Sequence, residues 1–191
     1  MRILLIRHAE PDYTVDSLTP KGWTEAELLS QRLVKIPVRD FFVSPLGRAK
    51  DTASLTLKKL NRTAETLPWL QEFRGTVPDP ETGEKRWIAW DLKPRIWSGY
   101  PGIMDFRSWM NAPVFADTNV PEIWKETTDG VDELLGRYGF RKDGPVWLCD
   151  QNEDFTLALF CHFGISMAVL AYLTDISPMV LWHRVLCMPS S

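Results

Sequence analysis

The stretch Leu4-Leu5-Ile6-Arg7-His8-Ala9-Glu10-Pro11 decides the fold class, because it carries an apolar, strand-like run straight into an Arg-His pair. The stretch Leu157-Ala158-Leu159-Phe160-Cys161-His162-Phe163-Gly164 repeats this layout, with a second apolar run ending in a histidine. In an open α/β sheet, ligands bind in the crevice at the carboxyl ends of the strands. Both imidazoles, His8 and His162, are therefore predicted to project into one site.

Strand-like and helix-like patterns alternate along much of the chain. The pattern predicts strands over 2–6, 40–43, 63–67 and 155–161, and helices over 21–34, 46–60 and 165–173. Alternation of this kind is typical of a mainly parallel sheet with helices on both faces. Continuous apolar strands agree with it, since a parallel sheet is covered on both sides. The predicted fold class is α/β, a three-layer sandwich with a mainly parallel sheet flanked by helices.

A second cationic group is predicted where the strand over 40–43 meets its following helix. Ser44 has the residue type and position of a helix N-cap, with a proline after it. Arg48 then lies in the first helical turn, where free N–H groups and a planar guanidinium together favour an anion. Taken alone, Arg48 could instead pair on the helix surface with Asp51 or Glu72. In the strand and helix context, the sequence predicts an anion pocket.

Glu72, which follows the third predicted strand, is the candidate proton donor. A phosphoryl group in transfer needs cations and donors around its oxygens, and its leaving oxygen needs a proton. Aspartate or glutamate residues in neighbouring loops are alternatives for this role. Together with two histidines at strand ends and an anion pocket, the pattern favours phosphoryl transfer through a histidine.

Four motifs make the chain resemble the histidine phosphatases, a family that includes the cofactor-dependent phosphoglycerate mutases. The motifs are Leu5-Ile6-Arg7-His8, Leu18-Thr19-Pro20-Lys21-Gly22, Ser44-Pro45-Leu46-Gly47-Arg48-Ala49 with Thr52-Ala53, and Cys161-His162-Phe163-Gly164. Each motif alone is common, and their order and spacing carry the resemblance. It covers roughly residues 1–73 and 146–175.

The resemblance implies a role for each matching residue. His8 is implied as the catalytic nucleophile, which attacks phosphorus in line and becomes a phosphohistidine. Arg7, Arg48 and His162 are implied to bind the substrate phosphate and to neutralise its oxygens in catalysis. Glu72 resembles the family's acid, which protonates the leaving oxygen and then deprotonates water. Neither a metal nor another cofactor is implied.

The loop after His8 departs from the mutase pattern. Mutases of this family usually have Gly-Glu/Gln-Ser/Thr and an Asn-containing loop that helps to hold phosphoglycerate, whereas this chain has Ala9-Glu10-Pro11-Asp12. The departure favours a metal-independent phosphoric monoester hydrolase, acting on a metabolite or a phosphoprotein, over mutase-type phosphotransfer. A non-catalytic phosphate-binding protein is a third hypothesis, against which the intact set Arg7, His8, Arg48 and His162 argues.

A segment rich in tryptophan and proline, at about 74–142, matches nothing in the resemblance. Its tryptophans are Trp87, Trp90, Trp97, Trp109 and Trp124. The proline density excludes one long helix through its first half. The aromatic residues are expected to pack this insertion onto the sheet. Because the segment directly follows Glu72, it is also a candidate lid near the active site. The chain is thus predicted to be one domain, 1–191, with a lid-like insertion.

The composition indicates which classes of binding partner and which cellular compartment to expect. A net charge of −3 over 191 residues gives no nucleic-acid pattern, and no apolar run approaches a membrane span. Cys149, Cys161 and Cys187 are odd in number and lack metal-ligand spacing, which suits reduced thiols in the cytoplasm. The apolar run at the start of the sequence is too short for a signal peptide. The expected partner is a small-molecule phosphomonoester; the oligomeric state is left open, and His183 is predicted to be structural.

Overall fold

The computed structural model describes residues 1–79, 81–86, 88–91, 93–150 and 153–191. The chain divides into two compact units. The first unit comprises Met1–Glu72, Asn152–Ser166 and Cys187–Ser191, and the second comprises Phe73–Gln151 and Met167–Leu186. The predicted insertion lies in the second unit, and the expectation of one domain with a lid stays a prediction. Trp87, one of the five tryptophans in that expectation, lies outside the described residues.

The elements up to Glu72 are β1 (Arg2–Arg7), β2 (Pro11–Asp12), β3 (Ser17–Leu18), α1 (Pro20–Leu33), β4 (Asp40–Val43), α2 (Gly47–Leu60), β5 (Glu65–Thr66) and the 3-10 turn Pro68–Leu70. The elements that follow are β6 (Val77–Pro78), β7 (Lys85–Arg86), α3 (Pro94–Trp97), α4 (Val120–Gly136), β8 (Phe140–Asp143), β9 (Val146–Cys149), β10 (Thr156–Cys161), α5 (Phe163–Thr174) and α6 (Pro178–Arg184), with 3-10 turns at Ala89–Asp91, Trp109–Asn111 and Pro113–Phe115.

The sheet of the first unit has the order β1-β10-β4-β5, and all three of its strand pairs are parallel. The register places Arg7 opposite Cys161, so the residues that follow β1 and β10 leave the sheet side by side. The ladder continues one step further, where the His8 N–H donates to the Cys161 carbonyl at 3.0 Å. The predicted α/β class, with a mainly parallel sheet flanked by helices, is therefore confirmed.

Helices α1 and α2 share one apolar core with the sheet. Leu33 of α1 and the small residues Ala49 and Ala53 of α2 are buried together with Phe41 and Phe160 of the strands. Burial of such contiguous apolar side chains is the main stabilising term of a domain of this kind. Alanines on α2 let the helix backbone approach the sheet closely.

The prediction that Ser44 caps α2 is wrong. The helix begins at Gly47, and its N-cap residue is Leu46, which makes no capping bond with its own side chain. The Ser44 hydroxyl does accept a hydrogen bond from the Leu46 N–H, at 3.3 Å. Its closer partner, however, is His162 in a distant part of the sequence, at 2.7 Å.

The second unit is held together by aromatic packing. The Trp109 side chain is fully buried, and its ring lies edge-on to Trp124 of α4 and Trp182 of α6, with centroids 5.1 and 6.0 Å apart. Aromatic pairs in this edge-to-face geometry are stabilising beyond their buried area. Among the described residues, no helix is long and apolar enough to cross a membrane.

Candidate active site

His8 lies at the carboxyl end of β1 and is 2 % exposed. Its Nδ1 is 2.7 Å from the Ala9 carbonyl oxygen. Because a carbonyl only accepts hydrogen bonds, Nδ1 carries the proton and Nε2 keeps its lone pair. That lone pair accepts from the Nε–H of Arg48 at 3.4 Å. The ring is thus fixed in the tautomer that leaves Nε2 as a nucleophile.

The surroundings of His8 favour its uncharged form. Burial is the main cause that lowers the pKa of His8 to about 4. The positive charges of Arg48 and Arg7 act in the same direction, and the hydrogen bond to the Ala9 carbonyl opposes them. The Asp16 carboxylate acts in the raising direction. At neutral pH the imidazole is therefore unprotonated and able to attack an electrophile.

The ionisation of His8 should be directly visible. We expect its ring to titrate near pH 4 and not near 6.5. Between pH 4 and pH 6.5, this imidazole is protonated in the unfolded chain and unprotonated in the folded chain. Stability from this group is therefore present above pH 6.5 and falls by about 3 kcal/mol as the pH drops towards 4. NMR titration of the histidine Hε1 resonances checks this, with His8→Gln assigning the signal; a midpoint near 6.5 would contradict it.

Arg48 lies in the first turn of α2 and is 5 % exposed. Its Nη1 donates to the Asp16 carboxylate at 2.6 Å. The other carboxylate oxygen of Asp16 accepts from the Gly47 N–H at 2.7 Å. Arg48 thus forms an ion pair with Asp16, whereas the sequence had offered Asp51 or Glu72 as its alternative partners.

Asp16 is held as a carboxylate by these contacts. Burial alone would raise its pKa, but the Gly47 N–H and the Arg48 guanidinium outweigh burial and hold the pKa below its usual value. Sequence reasoning missed this residue. It lies 31 and 32 positions from its two partners, and no local pattern around it indicates a functional role.

His162 follows β10 and is fully buried. Its ring centroid lies 5.1 Å from that of His8, with the two planes at 60°. Its Nε2 is 2.7 Å from the Ser44 hydroxyl. The structure therefore brings together the two histidines that the sequence placed at strand ends, and Ser44 fixes the orientation of the second ring.

Arg7 is the last residue of β1, directly before His8. Its Nη1 donates to the Cys187 carbonyl at 2.6 Å, and its guanidinium carbon lies 5.6 Å from the centre of the Phe163 ring. Its Nε is buried and has no hydrogen-bond acceptor within the described part of the chain. An unused, buried N–H of a cation is a donor that a ligand oxygen can satisfy.

Glu72 follows the turn Pro68–Leu70 and reaches the amino end of α5. One of its carboxylate oxygens accepts from the Ile165 N–H at 3.1 Å. Since α5 begins at Phe163, directly after His162, this contact places the carboxyl group at the amino end of that helix. The residue therefore approaches the carboxyl edge of the sheet by its bond to α5.

Thr52 ties the nucleophile loop to α2. Its hydroxyl accepts from the Ala9 N–H at 3.0 Å and donates to the Arg48 carbonyl at 2.7 Å. Thr52 lies in the motif that begins at Ser44, yet no role was predicted for it from the sequence. No group of three or more His, Cys, Asp or Glu side chains is placed to hold a metal ion in the described ranges.

The profile of the histidine phosphatase superfamily (branch 1) matches residues 3–99, just over half of the chain. The chain belongs to this superfamily. The match continues through residues 74–99, which had shown no resemblance when the motifs alone were considered. The matched range includes the motifs around Arg7-His8 and Arg48, whereas His162 lies beyond it.

Two relatives of known description are similar to part of this chain. The chain is 35 % identical to the mitochondrial serine/threonine-protein phosphatase Pgam5 of Caenorhabditis elegans over 95 residues, 47 % of this chain and 33 % of that protein. It is 36 % identical to the 2,3-bisphosphoglycerate-dependent phosphoglycerate mutase of Thermoplasma acidophilum over 73 residues, 33 % of this chain and 36 % of that protein. Each match spans about a third of the relative's length.

A solved structure shares the fold. The mycobacterial glucosyl-3-phosphoglycerate phosphatase in complex with inorganic phosphate is 22 % identical, with a TM-score of 0.63, and the alignment covers 100 % of this chain and 86 % of that chain. Similarity at this level of identity concerns the fold alone.

Proposed function

We propose that this protein is a metal-independent phosphatase that hydrolyses a phosphomonoester through a phosphohistidine on His8. The observation that carries the proposal is the uncharged Nε2 of His8, whose lone pair faces the Nε–H of the buried Arg48. A nucleophile beside a fixed cation suits attack on an anionic phosphoryl group.

The reaction takes two displacements. The His8 Nε2 lone pair forms a bond to phosphorus as the bond to the ester oxygen breaks, and Glu72 gives its proton to that leaving oxygen. Water then attacks the phosphohistidine, Glu72 takes the water proton, and the P–N bond breaks. Orthophosphate leaves, and both residues return to their starting forms.

Three side chains around His8 are proposed to stabilise the transferring phosphoryl group. Arg48 presents an N–H towards Nε2, and Arg7 has a buried Nε without an acceptor among the described residues. His162, with its ring beside that of His8, completes the proposed pocket. In the transition state negative charge spreads over the three equatorial oxygens, and these groups are proposed to stabilise it.

Hydrolysis is favoured over mutase-type transfer by the loop after His8. Pro11 and Asp12 form β2, which pairs with β3, and the sequence here lacks the Asn-containing loop usual in mutases. The mutase is the second candidate, favoured by the identity to the Thermoplasma enzyme. A phosphoprotein is the alternative substrate, because one relative is described as a serine/threonine-protein phosphatase.

We extend the proposal to the cellular location of the protein, its substrate and the role of residues 74–142. A cytoplasmic location is supported by three cysteines that form no disulfide with one another. A small-molecule phosphomonoester is the proposed substrate. The lid role of residues 74–142 is supported by their position directly after Glu72 in the sequence.

A panel of phosphomonoesters assayed with EDTA tests this function. We expect orthophosphate release from at least one ester, unchanged by the chelator. 3-Phosphoglycerate serves as the comparison, because a mutase would convert it to 2-phosphoglycerate without releasing phosphate. Hydrolysis that requires an added metal, or no hydrolysis of any ester, would contradict the proposal.

A further inference from the structure

The hairpin of β2 and β3 carries one carboxylate to the amino end of α2. Asp16, next to the start of β3, accepts from the Gly47 N–H and from Arg48 Nη1 through its two separate oxygens. The hairpin is fastened to α2 a second time, where the Ser17 hydroxyl donates to Asp51 at 2.5 Å. Asp16 is therefore docked on the helix by both its side chain and its neighbour.

The backbone is shaped for this contact. Gly47 lies so close to Asp16 that an added Cβ would be 2.1 Å from the Asp16 carbonyl oxygen. Only glycine permits that approach. Asp16 itself has φ of 50°, in the left-handed region that few non-glycine residues adopt. Both features serve the placement of one carboxylate against Arg48.

That carboxylate determines which edge of the Arg48 guanidinium is available. Nη1 is taken by Asp16, and Nε points to His8 Nε2 at 3.4 Å. Nη2 lies on the same edge of the planar group as Nε, and within the described part of the chain the hydrogen bonds of the guanidinium are these two. With Nη1 engaged, the Nε and Nη2 edge is the one left to bind two oxygens of a phosphate in bidentate fashion.

We propose that Asp16 is a positioning residue, which holds Arg48 by Nη1 so that its Nε and Nη2 edge faces a phosphoryl group at His8. The inference rests on the proposed function, since it concerns the same site. Asp16 touches no reacting atom in this role and acts only through Arg48.

Removal of Asp16 should change phosphate binding in opposite directions for a positioning residue and for a residue that merely competes for Arg48. A carboxylate near a bound phosphate repels it, so a residue that merely competed for Arg48 would weaken phosphate binding, and its removal would tighten it. Removal of a positioning residue has the opposite effect, because the freed guanidinium samples other orientations and must be ordered on binding.

Calorimetric titration of the full chain with orthophosphate provides the test. We expect Asp16→Ala to weaken binding by about 10-fold or more, and Asp16→Asn by less, because its amide oxygen still accepts from one donor. Asp12→Asn is the matched control, since Asp12 lies on the same hairpin and bonds to Thr14. It should stay within about 2-fold of the wild type.

The same change in an Arg48→Ala background distinguishes positioning from support of the hairpin. If Asp16 acts only through Arg48, Asp16→Ala should cause no further loss there. Tighter or equal binding by Asp16→Ala in the wild-type background, or an equal additional loss without Arg48, would overturn the inference. If Asp16→Ala does not fold, Asp16→Asn decides in its place, with equal or tighter binding again counting against the inference.

Failure of the proposed function would give a different experimental result from failure of the positioning role. A wild-type chain that binds orthophosphate but hydrolyses no ester would refute the phosphatase proposal, while the ranking of the Asp16 variants would still test the positioning role. A wild-type chain that does not bind orthophosphate would overturn the inference itself.

Discussion

Replacing His8 with asparagine should abolish turnover of every phosphomonoester that the wild-type protein hydrolyses, with a loss of about 10⁴-fold or more. Asparagine is polar and similar in reach to the Nδ1 side of the ring, but it has no nucleophilic nitrogen to replace Nε2. Arg48 and His162, the proposed phosphate-binding groups, remain in this variant, so we expect the loss to fall on kcat rather than on KM. Steady-state kinetics on the best ester of the panel measures it.

His183→Gln is the control for this substitution. His183 lies in the second unit, where its Nδ1 donates to the Met179 carbonyl at 2.8 Å and its ring stacks on Trp97. It should retain turnover within about 2-fold of the wild type. Near-normal turnover by His8→Asn would remove His8 from the mechanism.

Replacing Glu72 with glutamine should affect poor leaving groups far more than good ones. An alkoxide leaves only when protonated, whereas p-nitrophenolate departs with little help. Glu72→Gln should therefore lose about 10-fold or more additional rate on an alkyl phosphate, relative to p-nitrophenyl phosphate. The basic limb of the pH profile for alkyl esters should weaken in the same variant. Parallel kcat measurements on both esters give the ratio.

Glutamine preserves the structural contact of Glu72, because its amide oxygen can still accept from the Ile165 N–H. Glu126→Gln, an exposed change on α4, controls for loss of one negative charge. Equal losses on both esters in Glu72→Gln would mean that Glu72 only supports α5. The proton would then come from another acidic residue, with the segment at 74–142 as the first place to search.

The sequence predicts the sheet and the meeting of the two histidines because both depend on local patterns. Apolar runs of strand length mark β1, β4 and β10, and parallel pairing then aligns their carboxyl ends. Once Arg7 is opposite Cys161, His8 and His162 follow at the same level.

Tertiary partners are what the sequence could not predict. Ser44 before a proline is typical of a helix N-cap, yet its hydroxyl bonds to a histidine 118 positions away. Asp16 pairs with Arg48 because a hairpin folds onto α2, and nothing in the hairpin's residues indicates that contact. The second unit is specified by aromatic packing between distant segments, such as Trp109 with Trp182, rather than by a local period.

The covalent step on His8 is tested most directly by rapid quench of the wild-type protein with a radiolabelled ester that it hydrolyses. We expect an acid-labile, base-stable phosphate on the protein, formed at least as fast as steady turnover, and absent from His8→Asn. Steady turnover without any such phosphoprotein, or the same label in His8→Asn, would contradict it.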